Sequence, residues 1–469
     1  MIKLKKYADE GVFMKNIRRK NKFILVLDIF VNVAGMALLF TAIWFLFYRY
    51  NLSTAFLYKK GTAVLIFIYS VLYFLFASLY GGHNIEYYRT SEIIYSQCLS
   101  MIFVNVVTWL QICLIDRRVV ELIPILILSV LDVLFILIWS VWAVRRFRQR
   151  NIPREMTILY EGDVPEELEE KLRHYEYKFN IRNHIDIRCG YEEIIAQLNE
   201  NDGVLMGEID PALKKRIIQY CFERNMPVCV VPNVSEIVLR SSYVISLLDR
   251  PMLICRRGEL SLLDEFIKRC FDIVVAGLAL VVLSPVMLVV AVLIKLYDHG
   301  PALYKQTRLT IHGETFELYK FRSMIVNAES DGVARLAKAN DSRITPIGKV
   351  IRQYRLDELP QLINILKGEM SIVGPRAERP EIAAQYEQDI PEFAYRLKVK
   401  AGLTGYAQVL GRYNTSPYDK LMWDLMYIEG YSFFMDLKII MMTIKILFLP
   451  ESTSGVGEND VTAQKKARG

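Results

Sequence analysis

The chain has 469 residues, room for two or three domains, and 53% of them are hydrophobic. With a positive mean hydropathy, this argues against an ordinary soluble protein and predicts membrane segments. The formal charge of +7 suits anionic partners such as lipid headgroups, phosphates or nucleic acid, although Lys and Arg that merely orient membrane helices account for much of it. The seven cysteines (98, 113, 189, 221, 229, 255 and 270) form no CxxC pair and the five histidines are scattered, which speaks against a zinc site and a disulfide framework.

Residues 1–22 read as a basic cytoplasmic N-terminus in which Lys15, Arg18, Arg19, Lys20 and Lys22 crowd together. Four apolar stretches follow within 23–150: Phe23–Phe47, Thr62–Tyr80, Cys98–Ile115 and Leu122–Val144. Each is close to the ~20 helical residues that cross a hydrocarbon core. The first has no small-residue cleavage site after it and reads as an anchor. Asp28, Asn32 and Asp132 lie inside these stretches; pairing between helices is the favoured reading. Arg145, Arg146, Arg148 and Arg150 follow the fourth, so basic residues flank the set and place both its ends in the cytoplasm.

Residues 151–255 change character. Short strand-like runs (MTILYEG, IDIR, DGVLMGEI, PVCVVPN) alternate with helical ones (PEELEEKLRHYEY, YEEIIAQLNEN, IIQYCFERN). Such alternation predicts a parallel sheet covered by helices, a Rossmann-like domain. It lacks GxGxxG, with only Gly162 after the first strand, so a structural or regulatory role is expected over dinucleotide binding.

Residues 256–450 contain another apolar run, 271–296, interrupted by Ser284 and Pro285. Lys268 and Arg269 precede it, while Lys295, Lys305 and Arg308 stand at or beyond its end. Basic residues at both ends favour both ends inside, and Pro285 bends the helix where neither half is long enough to span. A re-entrant helix and a kinked spanning helix both remain open on these residues. Residues 433–449 look like an interfacial amphipathic helix, and 451–469 like a disordered tail.

The chemistry concentrates between Gly300 and Arg412. Lys320 and Arg322 flank Phe321. Thr345 and Pro346 start a helix carrying Lys349, Arg352 and Arg355. A second helix begins near Leu359 and Pro360 and ends at Gly368. Asp357 and Glu358 therefore stand at a helix start among arginines. Adjacent carboxylates there can hold a divalent metal and meet a diphosphate, or one can attack phosphorus. Arg376 and Arg379 can clamp phosphate oxygens in a two-pronged way. Singly, each is more simply a cap or a solvated charge; together, beside a broken apolar helix, they point to a phosphate-rich substrate at a membrane surface.

The pieces KRCFD (268–272), the Ser284-Pro285 break, GPALYKQTRLTIHGETFELYKFRSM (300–324), RLDELPQLINILKGEMSIVGPR (355–376) and AGLTGYAQVLGR (401–412) resemble the bacterial sugar transferase family, the monotopic phosphoglycosyl transferases. Two departures stand out: Ala377 where the family commonly has Pro after the Arg, and Ala401 and Tyr406 where it commonly has Pro and Trp. The resemblance implies a multi-pass bacterial cell-membrane protein, α plus α/β, with a four-helix transmembrane bundle, the Rossmann-like middle domain and a mostly helical catalytic domain on the cytoplasmic face whose helix 271–296 is re-entrant. It implies transfer of a hexose-1-phosphate, glucose or galactose by subclass, from a UDP-sugar to polyprenyl (undecaprenyl) phosphate with release of UMP, at the start of exopolysaccharide or capsule synthesis. Asp357 would be the nucleophile, and Glu358 would help bind Mg²⁺ with it or assist proton transfer. Lys320 or Arg322, with Arg352 and Arg376, would neutralise phosphate charge. A homodimer is compatible with this reading, nucleic acid is not expected, and a catalytically silent membrane scaffold is the alternative.

Overall fold

The computed structural model describes residues 2–49, 51–52, 60–150, 153–162, 179–198, 203–207, 209–247, 249–255, 260–326, 341, 343–411 and 415–447. The expected helix PEELEEKLRHYEY and the tail 451–469 lie outside them. The chain forms two compact units, 1–231 and 232–469. Among the described residues five helices are long and apolar enough to cross a membrane: Phe23–Tyr48, Gly61–Leu79, Thr90–Asp116, Ile123–Arg150 and Leu262–Asp298. With a small parallel sheet, this is the make-up of a membrane protein with an α/β part.

In the first unit, α1 (Ile2–Ile43), α2 (Lys60–Leu79), α3 (Thr90–Asp116) and α4 (Ile123–Arg150) pack on one another. Their shared core includes Met36, Phe40, Trp44, Tyr69, Met101 and Leu128. The polar residues inside it pair between helices, as expected. Asp28 meets Arg146 at 2.8 Å, Asn32 donates to Gln97 at 3.3 Å, and Asn105 donates to Asp132 at 3.0 Å. Water cannot serve these groups in hydrocarbon, so each needs a protein partner.

The remainder of this unit is a four-stranded parallel sheet of order β2-β1-β3-β4, built from β1 (Arg154–Tyr160), β2 (Phe179–Asp186), β3 (Gly203–Met206) and β4 (Val228–Val230). Helices α5 (Tyr191–Gln197) and α6 (Pro211–Glu223) connect its strands. Ile185, Ile194, Val204, Met206, Ile217 and Cys221 make the core.

The second unit opens with α7 (Val234–Arg240) and an antiparallel hairpin, β5 (Tyr243–Leu247) and β6 (Arg250–Ile254). The sequence reading contains no such hairpin. Its tight turn places Asp249 in the left-handed region (φ 58°), where glycine or asparagine would have signalled it. Then comes α8 (Leu262–Asp298), capped by Ser261 and continuous through Pro285. Pro285 has no N–H for the carbonyl of Val281, and the Ser284 hydroxyl donates to that oxygen instead, at 2.8 Å. Both ends of α8 are tied into the unit. Lys268 meets Asp436 at 2.6 Å, Arg269 donates to the carbonyls of Ile365 and Leu366, and Asp272 accepts from Ile372 N at 3.0 Å. Toward the other end, Val290 and Ile294 pack on Phe321 and Ile351. Lys268 is thus buried in the protein, while the half-buried Arg269 binds backbone carbonyls at its surface.

The rest of the unit is β7 (Leu303–Leu309) antiparallel to β8 (Thr315–Phe321), α9 (Pro346–Gln353), α10 (Gln361–Lys367), the parallel pair β9 (Ser371–Val373) and β10 (Gly402–Thr404), α11 (Pro380–Asp389), α12 (Tyr406–Leu410), α13 (Pro417–Glu429) and α14 (Phe433–Leu447). Thr345 caps α9, its hydroxyl accepting from Gly348 N at 2.9 Å, and Gly368 ends α10 with φ 90°. In α14 two charged residues face inward, Asp436, which is 1% exposed and bound to Lys268, and Lys445, whereas Lys438 is exposed and so is Phe434, at 76%.

Candidate active site

The acidic pair stands on a one-turn 3₁₀ segment, Leu356–Glu358, between α9 and α10. It precedes α10 by two residues and is not that helix's first turn. Arg355 adopts the left-handed conformation (φ 53°), which turns the chain out of α9. Leu356 and Leu359, on either side of the pair, pack with Val290 and Ile294 of α8. The turn that carries the carboxylates is therefore held against the cluster that the far end of the long apolar helix shares with Phe321 and Ile351.

Strand β8 brings the first cation. Asn364 of α10 is fully buried and bonds along the strand's edge, accepting from Tyr319 N at 3.0 Å and donating to Glu317 O at 2.7 Å. This fixes Lys320 beside the pair, its Nζ 3.7 Å from Glu358 Oε1. Arg376 arrives from the loop after β9, and its Nη2 donates to the same Glu358 oxygen at 3.0 Å. That loop is locked to the 401–405 segment by glycines. A Cβ on Gly402 would stand 2.1 Å from Gly374 N, and one on Gly405 would stand 2.1 Å from Gly374 O. The two motifs GPR and AGLTG are one backbone contact, too close for any side chain.

The charges set one another. Burial, then the neighbouring Glu358, raise Asp357 above the usual carboxylate range, against the pull of Lys320, Arg352 and Arg376. Burial also opposes the charge on Glu358, but Arg376, Lys320 and Arg355 together outweigh it and hold that carboxyl below its usual range. Of the two carboxyls, Asp357 is therefore the one pushed toward its protonated form and Glu358 the one held ionised. Burial pushes Lys320 down to about 8; Glu358 resists this, and Arg376 and Arg308 add to it.

The structure thus gathers Asp357, Glu358, Lys320, Arg352 and Arg376. It does not bring Arg322 to them: that guanidinium is buried and ion-paired with Asp298 at the end of α8. Ser284 and Pro285 stand at the middle of α8. The sequence reading missed Arg308, Glu378, Arg396 and Asp424. Arg308 donates to Ala377 O at 2.9 Å, next to Arg376. Arg396 lies 3.4 Å from Glu378 and donates to Asp424 at 2.7 Å. An open cleft of about 310 Å³ runs beside Arg376, lined by Leu309, Glu378, Glu387, Phe393 and Arg396 among others. Gln306 and Arg308, two apart on a strand inside the quoted motif 300–324, were the local signal for this group.

The family model described as bacterial sugar transferase matches residues 263–450. Over 206 residues the chain is 41% identical to the exopolysaccharide production protein PSS of Rhizobium leguminosarum bv. phaseoli, covering 42% of this chain and 100% of that protein. The chain belongs to the bacterial sugar transferase family. Two longer matches place other family members beside it. One is the UDP-N-acetylgalactosamine-undecaprenyl-phosphate N-acetylgalactosaminephosphotransferase of Aeromonas hydrophila, 37% identical over 268 residues, 55% of this chain and 59% of that protein. The other is the UDP-glucose:undecaprenyl-phosphate glucose-1-phosphate transferase of Escherichia coli K12, 37% identical over 258 residues, 54% and 55%. The chain matches a little over half the length of these two sugar transferases.

Among the described residues no group of three or more His, Cys, Asp or Glu could hold a metal by itself. Two adjacent carboxylates, one held ionised by its neighbours, fit the pattern of Mg²⁺ sites, in which one or two carboxylates are completed by water and substrate phosphates.

Proposed function

We propose that this family member transfers a hexose-1-phosphate from a UDP-sugar to polyprenyl (undecaprenyl) phosphate and releases UMP. The observation that carries the reading is the half-buried Asp357–Glu358 pair within reach of Lys320, Arg352 and Arg376. It is supported by the activities for which the Aeromonas and Escherichia relatives are named.

Asp357 is the nucleophile. An ionised Asp357 oxygen attacks the β-phosphorus, the bond from that phosphorus to the bridging oxygen breaks, and UMP leaves with the electron pair. The sugar-phosphate is then an acyl phosphate on Asp357. A phosphate oxygen of the lipid attacks the same phosphorus, expels the carboxylate and yields polyprenyl-diphospho-sugar. Lys320, Arg352 and Arg376 oppose the negative charge that builds in both steps, which is the main demand of phosphoryl transfer. Asp357 and Glu358 would hold Mg²⁺, which when bound shares the charge of the diphosphate oxygens.

We read α8 as re-entrant, with both ends on the cytoplasmic face. Its residues before 280 and after 287 each bury one side against the same unit, whereas Val281, Val282, Ser284, Pro285 and Val286 are all exposed. A bend at Pro285 that dips this apolar tip into one leaflet accounts for that pattern.

The test is nucleotide release by the purified protein in detergent with Mg²⁺, polyprenyl phosphate and UDP-glucose or UDP-galactose. UMP, lost in Asp357→Asn, is the expected product; UDP refutes phosphoglycosyl transfer. No release across a broad panel of UDP-sugars by folded protein favours the scaffold.

A further inference from the structure

Strand β7 ends beside the residues that follow Arg376, and two bonds stitch them together. Leu309 N donates to Glu378 O at 2.9 Å, and Arg308 Nη1 donates to Ala377 O at 2.9 Å. The Arg308 guanidinium is also held from its other edge. Gln306, on the same face of the strand, accepts from Nε at 3.2 Å and from Nη2 at 2.6 Å. The Arg308 side chain is only 15% exposed, and the Glu378 carboxylate stands 4.0 Å away. Arg376 is a close positive neighbour. Burying a guanidinium next to another guanidinium is costly. The arrangement gains control over the second one: the hydrogen bond fixes the backbone just after Arg376, whose own head donates to Glu358 at 3.0 Å.

We propose that Arg308 is a positioning residue for Arg376. It clamps residues 375–378 to β7 so that the Arg376 guanidinium is presented at the acidic pair, where the donor diphosphate arrives. The consequence for catalysis rests on the transferase reading; the clamp itself does not.

Two measurements on the full chain separate them. The first is hydrogen exchange of the backbone amides of 374–379 without substrate, in wild type, Arg308→Lys and Arg308→Met. The Met variant exchanges faster there, and Lys, which can still reach Ala377 O, recovers part of the protection. Unchanged exchange in the Met variant overturns the assignment, even if wild type releases no UMP and the transferase reading falls. The second is UMP release by Arg308→Met, Arg376→Met and the double variant. Loosening the clamp lowers kcat/KM by about 100-fold, the order expected when a group is misplaced by an ångström. The double variant is no slower than Arg376→Met alone, because Arg308 acts through Arg376. Losses that multiply show that Arg308 acts independently and overturn the proposal. Should Arg308→Met fail to fold, Gln306→Ala, which frees the guanidinium without removing it, must raise exchange in the same segment; no change there also refutes the clamp.

Discussion

Replacing Arg376 by Met separates catalysis from stability. The substitution removes one charge-assisted bond, Nη2 to Glu358 at 3.0 Å, from a side chain that is 42% exposed. Glu358 keeps Lys320 at 3.7 Å, so no orphaned carboxylate remains. An ion pair with this much solvent on one partner contributes about 1 kcal/mol or less to folding. A shift in melting temperature of no more than roughly 2–4 °C follows for a unit of this size. The effect on rate is different in scale. A donor aimed at charge that develops only in the transition state is worth about 100- to 1,000-fold, or about 2.7–4 kcal/mol. Arg376→Lys restores the charge without the two-pronged geometry and recovers only part of the loss. The assay is UMP release at saturating lipid alongside thermal unfolding of the same preparations. A rate unchanged in Arg376→Met, or a loss matched by a collapse of the melting temperature, refutes the reasoning.

Three further outcomes are expected. The rate against pH is bell-shaped. Asp357 must be ionised to attack, and its raised pKa moves the acidic limb above the usual carboxylate range; Lys320 must be charged, and it loses its proton near 8. Arg in place of Lys320 removes the alkaline limb, and a limb that stays assigns it elsewhere. Gly402→Ala places a Cβ 2.1 Å from Gly374 N and 2.5 Å from Thr404 O, both backbone. It destabilises by about 1–3 kcal/mol or more, read as a lower melting temperature; wild-type stability contradicts the interlock. Ser284→Ala leaves the Val281 carbonyl without the hydroxyl that reaches it at 2.8 Å. An unsatisfied acceptor costs about 1–3 kcal/mol in apolar surroundings, so that variant melts earlier, and an unchanged melting curve argues that another donor serves this carbonyl.

Features encoded within a few residues were legible in the sequence. Thr345 with Pro346 announces a helix start, and Gly368 a helix end, because capping is local chemistry. The apolar helices were legible from length alone. The parallel sheet was legible from its alternation, although the reading placed β2 nearer IDIR than its Phe179 start. What escaped depends on contacts remote in sequence. Arg308 and Ala377 are 69 positions apart, and only the β7 register and the loop after β9 bring them together. Arg322 looked equal to Lys320 because both flank Phe321. The structure separates them by burying Arg322 and pairing it with Asp298, 24 positions earlier. A second role of Lys268 escaped for the same reason: a basic residue before an apolar run reads only as a topology signal until its partner 168 positions away is seen.

The same remoteness bears on how a soluble donor and a lipid acceptor would share one centre in the proposed reaction. Leu356 and Leu359 bracket the acidic pair and rest on Val290 and Ile294. On the proposed mechanism the nucleophile thus sits on a turn packed into the same cluster as the end of the apolar helix. Arg376 and Lys320, by contrast, come from the strand and loop layers, where Asn364 and the interlocked glycines hold them. One set of contacts fixes the nucleophile relative to the helix, and the other fixes the phosphate-binding cations relative to the nucleophile. If α8 dips into one leaflet as proposed, the nucleophile's height above the hydrocarbon is set by side-chain packing alone. Truncating Leu356 or Leu359 to Ala should then impair the step that uses the lipid more than the step that releases UMP. Equal loss in both steps would mean that packing against α8 serves only to keep the turn folded.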